Sequence, residues 1–424
     1  MEARISEPES FRLIVQKYGG TSVGDLERMR KVASRIARTV QDGSKVAVTV
    51  SAMGRGTDQL VTMAKELSER PSKRELDVLL STGEQQSIAL LCLALEHLGV
   101  KARSFTGRQA GILTDSLFGS ARIVEVEPAD MLDAFRSHDV VVVAGFQGVD
   151  ATGNITTLGR GGSDTTAVAV AAALGAGEVE ILTDTEGVFT TDPHLVPSAT
   201  KLDHIDYDEM LELASLGANV LHPRSVWYAR RYGVKIHVRS SFSFNRGTIV
   251  STLEPSEEGA MRTERPVTGV ALDLNHARIN VFGVPDQPGI AARLFRRLGD
   301  AGVSADMIIQ GVPGAEGSRQ QMAFTISQDL VSEALEAVQA VLADIGGTVT
   351  ADTEIAKLSI VGIAIGSTPG VAGRMFDAVA AVGANIEMIA TSEVRISVVI
   401  PVEKAEEALR AVHSAFGLDQ VEAI

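Results

Sequence analysis

Between residue 11 and about residue 250, two patterns of apolar residues alternate along the chain. Short apolar runs rich in β-branched residues recur at positions 46–50, 140–144, 179–182 and 234–238. Segments with the spacing of amphipathic helices separate them, as residues 25–41 illustrate with apolar side chains at Leu26, Met29, Val32, Ile36 and Val40. This alternation predicts an α/β sheet.

The last third of the chain repeats itself after a predicted linker at residues 245–264, which are rich in Gly, Pro, Ser and charge. Pro288 and Met307 of one copy match Pro369 and Met388 of the other, at a constant separation of 81 residues. Each copy predicts the βαββαβ order of a ferredoxin-like unit. A repeat specifies a fold, so the copies either bind a ligand or only pack together.

Composition narrows the class of protein. A chain of 424 residues that is 45% hydrophobic is expected to hold two or three domains. Its 39 basic and 54 acidic side chains give a formal charge of −15, which argues against a nucleic-acid or anionic-membrane partner. An acidic protein of this kind must build any anion site locally.

The remaining composition favours a soluble protein of the reducing cytoplasm. The single cysteine, Cys92, lies in an apolar stretch, so a buried structural thiol is favoured over a nucleophile. The first residues, MEARISEPESFR, do not have the pattern of a signal peptide, and no run of 18 apolar residues occurs. The scattered histidines predict no dedicated metal site.

Two glycine-rich segments are candidate anion sites. KYGGTSVGD, residues 17–25, and GRGGSDTT, residues 159–166, each stand at the predicted start of a helix, where backbone amides and the helix dipole favour an anion. The first segment alone is better explained as a strand-to-helix turn in which glycine relieves backbone strain, but the second, where polar helix caps and glycines coincide, shifts the balance toward an anion site. Neither fits the Walker pattern or the protein-kinase glycine-rich loop, so phosphoryl transfer would need another scaffold.

These segments belong to an ordered series that resembles the aspartate kinases of the amino-acid kinase family. The series also includes SAMGRGTD from Ser51, STGEQQS from Ser81, VAGFQGV from Val143, TDTEGVFTTDP from Thr183 and ELASLGANVLHPRS from Glu212. The resemblance implies an α/β amino-acid-kinase-type sandwich with a mainly parallel central sheet at 11–255. Two ferredoxin-like ACT domains would follow at 267–345 and 346–424, and strand 267–274 can join the second.

The implied reaction is transfer of the ATP γ-phosphate to the β-carboxylate of L-aspartate, giving 4-phospho-L-aspartate and ADP. Aspartate is ionised at neutral pH, so positive charge and oriented amides matter more than a general base. Mg²⁺ is expected to be bound through the ATP phosphates, with no metal site made by the protein. The resemblance implies that Lys17 is catalytic and is held by Asp164, which is otherwise only a helix-start carboxylate.

Further roles are carried over from the family motifs. The residues expected to bind ATP are Lys17, Tyr18, Gly19, Gly20, Gly161, Gly162, Thr183, Asp184, Val188, Phe189 and Asp192. Those expected to bind aspartate are Ser51, Thr57, Glu84, Arg160 and Ser163. Phe189 is equally explained as core, and Glu84 alone as a solvated helix-start acid. His194 and Asn219 replace basic residues that are frequent in the family, so we expect weaker ATP affinity.

The ACT pair implies feedback inhibition by lysine, threonine or both, at the head of lysine, threonine and methionine synthesis. The implied effector contacts are Ser304, Ala305, Asp306, Gln310, Val371, Ala372, Asn385, Ile386 and Ser392; Gly311 departs from the usual asparagine. The resemblance also implies a homo-oligomer through the ACT domains, and Met261 could start a shorter regulatory subunit. The alternatives are a glutamate-type acyl-phosphate-forming kinase and a non-catalytic amino-acid sensor.

Overall fold

The computed structural model describes residues 12–217, 220–252, 266–311 and 319–419. The chain divides into two compact units. The first comprises the described residues of Met1–Val188, Lys201–Ala214 and Asn219–Glu254, and the second those of Phe189–Thr200, Ser215–Ala218 and Pro255–Ile424. Most of the predicted linker, the domain limit near 255, Met261 and Asn219 lie outside the described residues.

Strands and helices alternate through the first unit, as the apolar pattern predicts. In chain order they are β1 (Arg12–Tyr18), α1 (Leu26–Gln41), β2 (Ser44–Val50), α2 (Gly56–Leu67), α3 (Lys73–His97), β3 (Ala102–Phe105), β4 (Ile112–Thr114), β5 (Ile123–Val126), α4 (Ala129–Ala134), β6 (Val140–Ala144), β7 (Gln147–Asp150), β8 (Ile155–Thr157), α5 (Gly162–Ala173), β9 (Glu178–Thr183), β10 (His204–Ile205), α6 (Tyr207–Ser215), α7 (Pro223–Tyr232), β11 (Lys235–Ser240) and β12 (Thr248–Val250).

The larger sheet of this unit has the strand order β10-β12-β11-β9-β1-β2-β6-β3. Each neighbouring pair is parallel except β11 and β12. The prediction of an α/β fold with a mainly parallel central sheet is therefore confirmed. A second sheet, in the order β5-β4-β7-β8, belongs to the same unit.

Helices cover the larger sheet because its strands are apolar on both faces. Val46, Val48 and Val50 of β2 join a buried cluster with residues of α1 and α3, while α5 packs against β1, β2 and β9. Asp25 caps α1 by accepting a hydrogen bond from the backbone N–H of Arg28 at 2.8 Å. Because neighbouring strands of this sheet run parallel, their carboxyl ends lie at one edge, and the loops that follow these strands meet there.

Helix α3 passes the test of length and apolar composition for a membrane-spanning helix, among the described residues. Half of the relevant stretch is buried inside the first unit, and Asp77 and Glu84 are among its buried residues. Buried carboxylates with partners inside the protein are typical of a core helix of a globular domain.

The second unit contains two four-stranded antiparallel sheets. Its elements are β13 (Gly269–Asp273), β14 (His276–Pro285), α8 (Ile290–Asp300), β15 (Ile308–Gln310), β16 (Arg319–Ser327), α9 (Val331–Ile345), β17 (Thr348–Asp352), β18 (Ile355–Val361), α10 (Val371–Ala381), β19 (Met388–Thr391), β20 (Arg395–Pro401) and α11 (Ala405–Ala415). The sheet orders are β15-β16-β14-β17 and β13-β18-β20-β19. The predicted ferredoxin-like repeat is present in both modules.

The limit predicted between residues 345 and 346 is wrong as a division of the two sheets. β17 pairs antiparallel with β14 and so completes the first module's sheet. β13, which precedes the first module, pairs antiparallel with β18 of the second. The βαββαβ order needs a closing strand after each second helix, and in the second module β13 takes that place.

Residues 189–200 also belong to the second unit, although they lie in the chain between strands of the first. The Oγ1 of Thr190 lies 2.9 Å from Nε2 of His413, and the hydroxyl of Thr200 donates to the carbonyl of Leu418 at 3.0 Å. Val196 joins the apolar core of the second module. The amino-acid sequence shows no periodicity that predicts this packing.

Candidate active site

The candidate active site lies at the carboxyl ends of neighbouring parallel strands in the first unit. β9, β1, β2 and β6 are consecutive in the larger sheet, and each leads into one of the predicted motifs. Lys17 is near the end of β1, and Tyr18 is the last residue of that strand. The side chain of Tyr18 is fully buried and its hydroxyl donates to Gln16, so this side chain is not available to a nucleotide.

Lys17 and Asp164 meet although they are far apart in the chain. The Lys17 Nζ lies 2.5 Å from Oδ1 of Asp164, and the two side chains are only 11% and 12% exposed. Asp164 stands in the first turn of α5. The two glycine-rich segments therefore share one cleft, with the ammonium group at the mouth of the helix.

Gly20 stands where the first segment turns around Lys17 and has no room for a side chain. A Cβ added at Gly19 would lie 3.4 Å from the Lys17 Nζ, and one at Gly20 would lie 2.9 Å from the carbonyl oxygen of Ala52. The N–H of Gly54 donates to the carbonyl of Gly20 at 3.0 Å. The Lys17 turn thus touches the loop that begins at Ser51, which was predicted to bind the substrate.

The second glycine-rich segment forms the start of α5. Gly161 is the N-cap residue with φ of 66°, in the left-handed region that favours glycine, and provides no side-chain cap. A Cβ at Gly162 would lie 2.9 Å from the ring of Phe146, which itself has φ of 68°. The close packing places the start of α5 beside Lys17, where the N–H of Gly162 already donates to the carbonyl of Gly159 at 3.0 Å.

His222 is a site residue that the sequence reasoning did not assign. A Cβ at Gly161 would overlap its side chain, so the imidazole packs directly on the glycine turn. Its Nδ1 accepts a hydrogen bond from the N–H of Arg224 at 3.2 Å and caps α7. Burial, helped by the charge of Arg224, lowers the pKa of His222. The only sequence signal was a histidine directly before a helix-starting proline.

Glu84 is a buried carboxyl group facing the Ser51 loop. The residue is 2% exposed, its Oε1 accepts from the N–H of Ala52 at 3.0 Å, and its Oε2 has no hydrogen-bond partner among the described residues. Burial raises the pKa of Glu84 to about 7, against the opposing effect of the Ala52 hydrogen bond. A buried oxygen without a partner is suited to a cationic ligand group.

The other predicted substrate residues surround the same loops. Ser51 donates its N–H to the Tyr18 carbonyl at 3.2 Å, and Thr57 lies in the first turn of α2. Ser163 is buried against Gly145, at which a Cβ would lie 2.7 Å from the serine Oγ. Arg160 is exposed, two residues before the start of α5. Its guanidinium is therefore accessible to a solute.

The predicted nucleotide residues divide between the two units. Thr183 ends β9, Asp184 follows it, and Val188 is buried with its N–H bonded to Thr248. Phe189 and Asp192 belong to the second unit. There the carboxylate of Asp192 accepts from the N–H of His194 at 2.8 Å, which stabilises a local turn.

Comparison with known proteins is consistent with this geometry. Residues 12–240 match the amino acid kinase family model, and residues 277–343 and 358–416 match ACT domain models. The chain is 61% identical over 408 residues to an aspartokinase of Thermus thermophilus, covering 96% of this chain and 99% of the relative.

This chain belongs to the aspartokinases.

Two solved aspartokinase structures resemble the whole chain. One is E. coli aspartokinase III in complex with aspartate and ADP, in the R-state, with a TM-score of 0.77 and 26% identity; it covers 95% of this chain and 99% of its own. The other is the same enzyme with lysine and aspartate, in the T-state, at a TM-score of 0.72, the same identity and the same coverage. The aspartokinase fold thus extends over both units of this chain.

Proposed function

We propose that this chain transfers the γ-phosphate of ATP to the β-carboxylate of L-aspartate, with the catalytic groups in the first unit. The observation that carries the proposal is the Lys17–Asp164 ion pair, which joins both glycine-rich segments in one cleft. The ammonium group of Lys17 and the start of α5 lie together there. Such a site neutralises the charge of phosphate groups as two anions approach each other.

Glu84 and Arg160 provide partners for the charged groups of an α-amino acid. The unpartnered Oε2 of Glu84 is suited to the α-ammonium, and the exposed guanidinium of Arg160 is suited to the α-carboxylate. Ser51, Thr57 and Ser163 supply hydroxyl groups in the same region. These contacts leave the β-carboxylate as the free nucleophile.

The transfer step needs no proton. A β-carboxylate oxygen forms a bond to the γ-phosphorus, the bond from that phosphorus to the bridging oxygen breaks, and ADP leaves with the electron pair. Lys17 stabilises the charge that develops on the transferring and bridging oxygens. Asp164 holds the ammonium group in position, which limits its mobility.

Magnesium is proposed to be bound with the nucleotide. Within the described residues, no group of three or more His, Cys, Asp or Glu side chains has a metal-binding arrangement. Mg²⁺ keeps several waters and is bound mainly through substrate phosphates. When bound, the ion supplies charge neutralisation of those phosphates.

An assay of ADP release separates aspartate from glutamate as the acceptor. We expect turnover with aspartate to exceed that with glutamate by at least about tenfold in kcat/KM, because an extra methylene displaces the attacking carboxylate and is worth about 1–3 kcal/mol. Hydroxylamine trapping of the acyl phosphate identifies the product. Equal turnover of the two amino acids would indicate a broader kinase, and none with either would indicate a sensor.

Regulation is proposed for the second unit, where crossed ion pairs connect the two modules. Asp306 lies 2.8 Å from the Nζ of Lys357, and Glu387, its equivalent in the second copy, lies 2.5 Å from Arg278. Burial raises the pKa of Asp306, but the hydrogen bond and charge of Lys357 outweigh it and lower the pKa overall. Ser304, Gln310 and Asn385 are exposed on the same unit.

A matrix of lysine and threonine concentrations tests this regulation. We expect one or both amino acids to inhibit, and Asp306→Asn to raise the inhibitory concentration at least about tenfold, because an effector ammonium would lose its carboxylate partner. Glu387→Gln is the matched control, since it breaks the equivalent ion pair. An equal loss of inhibition in both variants would attribute the effect to the ion pairs rather than to effector contact.

The remaining effector contacts are Ala305, Val371, Ala372, Ile386 and Ser392, all in the second unit. A homo-oligomer through the ACT modules, a shorter subunit starting at Met261 and a location in the cytoplasm complete the proposal. Size measurement of the purified protein and an immunoblot of the native host test the assembly.

A further inference from the structure

Helix α3 has buried polar residues on one face of its first half. Asp77, Ser81 and Glu84 are buried and follow one another at four and three residues, which places them on the same face. Further along, Ile88 and Leu91 continue that face into the apolar core. The second half of α3 therefore anchors the helix, while the first half presents polar groups to neighbouring loops.

Asp77 uses its carboxylate to hold two segments of backbone. Its Oδ2 accepts from the N–H of Thr157 at 2.9 Å and from the N–H of Gly119 at 3.0 Å. Its Oδ1 accepts from the hydroxyl of Thr157 at 2.7 Å. Asp77 is 0% exposed, so these three hydrogen bonds form away from solvent, where the loss of a partner is costly.

Thr157 is the last residue of β8, three positions before Arg160. The next carbonyl, that of Leu158, accepts from the guanidinium of Arg224 at 2.6 Å, and the N–H of Leu158 donates to Phe146 at 2.9 Å. The chain is thus fixed on the strand side of the turn that carries Arg160. Asp77 is the buried acidic residue among the contacts that hold this segment in place.

Glu84 holds a different loop from the same helix face. Its Oε1 accepts from the N–H of Ala52, and a Cβ at Gly83 would lie 2.9 Å from the Ala52 side chain. Seven residues of α-helix separate Asp77 from Glu84, a rise of roughly 10 Å. One rigid helix therefore sets the distance between the Ser51 loop and the Arg160 turn.

We infer that Asp77 is a positioning residue for the amino-acid substrate, which it serves by fixing the Arg160 turn relative to Glu84. The inference rests on the proposed function, in which Glu84 and Arg160 bind groups attached to the same carbon atom. Two partners of one α-carbon must be held at a fixed separation, and a displacement of about 1 Å can cost a hundredfold in rate. Asp77 does not touch the substrate in this arrangement.

The inference is tested by measuring the KM for aspartate and the KM for ATP separately in Asp77→Asn. An amide of the same shape points N–H groups at backbone donors, so at least one hydrogen bond is lost and the turn shifts. We expect the KM for aspartate to rise at least about tenfold, while the KM for ATP changes by less than about twofold, because Asp164, which pairs with Lys17, is held by α5, and that helix packs against β1, β2 and β9.

Three further variants make the result specific. Thr157→Val removes only the hydroxyl and is expected to raise the KM for aspartate about threefold; Thr157→Ser keeps the hydroxyl and should match the wild type. Asp150→Asn is the matched control, because Asp150 is also buried but bonds Thr152, Asn154 and Ser116 in its own hairpin and loop. Its variant should leave both Michaelis constants unchanged.

Two results would overturn the inference: an unchanged KM for aspartate in both Asp77→Asn and Thr157→Val, or an equal rise of both Michaelis constants. If Asp77→Asn does not fold, Thr157→Val decides alone. A wild type without aspartate-dependent ADP release would instead remove the proposed function, so the two failures are distinguishable.

Discussion

Replacement of Lys17 by alanine should lower kcat about a thousandfold or more. Lys17 is the cation that both glycine-rich segments of the first unit surround, and its Nζ lies 2.5 Å from Asp164. Loss of a single preorganised donor at a developing charge costs about 10²–10³ in rate, and loss of a cation from a phosphoryl-transfer site costs more. Steady-state ADP release with saturating aspartate and ATP measures the effect.

The alanine variant also leaves Asp164 as a nearly buried carboxylate without its cation, which destabilises the first unit. Lys17→Ala combined with Asp164→Ala separates this effect from catalysis: the double variant should recover thermal stability but not activity. Lys45→Ala is the matched control, because Lys45 pairs with Asp139 near the start of β2, at the opposite end of the strands. Wild-type turnover by Lys17→Ala would show that the cleft is not the phosphoryl-transfer site.

Replacement of Glu84 by glutamine should raise the KM for aspartate about a hundredfold. A buried carboxylate that loses its charge can no longer pair with an ammonium group, and such losses cost about 2–5 kcal/mol. The KM for ATP should stay within about twofold, because the glutamine Oε1 can still accept from the N–H of Ala52 and so keeps the Ser51 loop in place beside the Lys17 turn. Glu209→Gln, which changes another buried carboxyl group of the first unit, is the matched control.

The acidity of Glu84 gives the same prediction a pH dependence. Because the pKa of Glu84 is raised to about 7, the free enzyme binds a proton there below that value, and the neutral form cannot pair with the ammonium. The KM for aspartate should therefore rise as the pH falls below 7, approaching tenfold per unit. Glu84→Gln should flatten this profile; a profile shared by wild type and variant would contradict the assignment.

The raised pKa of Glu84 makes the stability of the fold change with pH in the direction opposite to that caused by a carboxylate in an ion pair. Since the folded pKa of Glu84 exceeds its ordinary value of 4.5, the folded state holds a proton that the unfolded state has lost between these values. Stability without substrate then falls as the pH rises from 4.5 to 7. Aspartate should offset this loss in thermal melts of the wild type and have little effect on Glu84→Gln.

The sequence alone predicted the α/β class, the parallel sheet and the repeat of the last third, because these depend on local periodicity and on motif order. It also paired Lys17 with Asp164 through a family resemblance. It could not assign Asp77, since one acid in an otherwise amphipathic helix has no periodic signal, and its partners at 119 and 157 are distant in the chain. It gave no reason to expect the full burial of Tyr18.

The sequence left undetermined which sheets β13 and β17 complete, and the reason is physical. β14 and β18 each have an edge that any extended segment of suitable length can pair with. The family resemblance alone indicated that strand 267–274 can join the second module, and no sequence pattern assigned β17, because the choice of a pairing partner depends on long-range packing. The same limit applies to residues 189–200, whose association with His413 and Leu418 depends on contacts more than 200 positions away.

Those residues have a consequence for any product translated from an internal start. A polypeptide beginning at Met261 would carry β13 and both ferredoxin-like sheets, yet it would lack Leu195, Val196 and Ala199, which pack on the apolar core around α11. In that polypeptide, the apolar surface that these residues cover would be exposed to solvent unless another molecule bound to it. A separately translated regulatory chain would therefore be prone to association through this apolar surface. Binding to a full-length chain that supplies residues 195–199 would cover the surface and keep the shorter chain soluble.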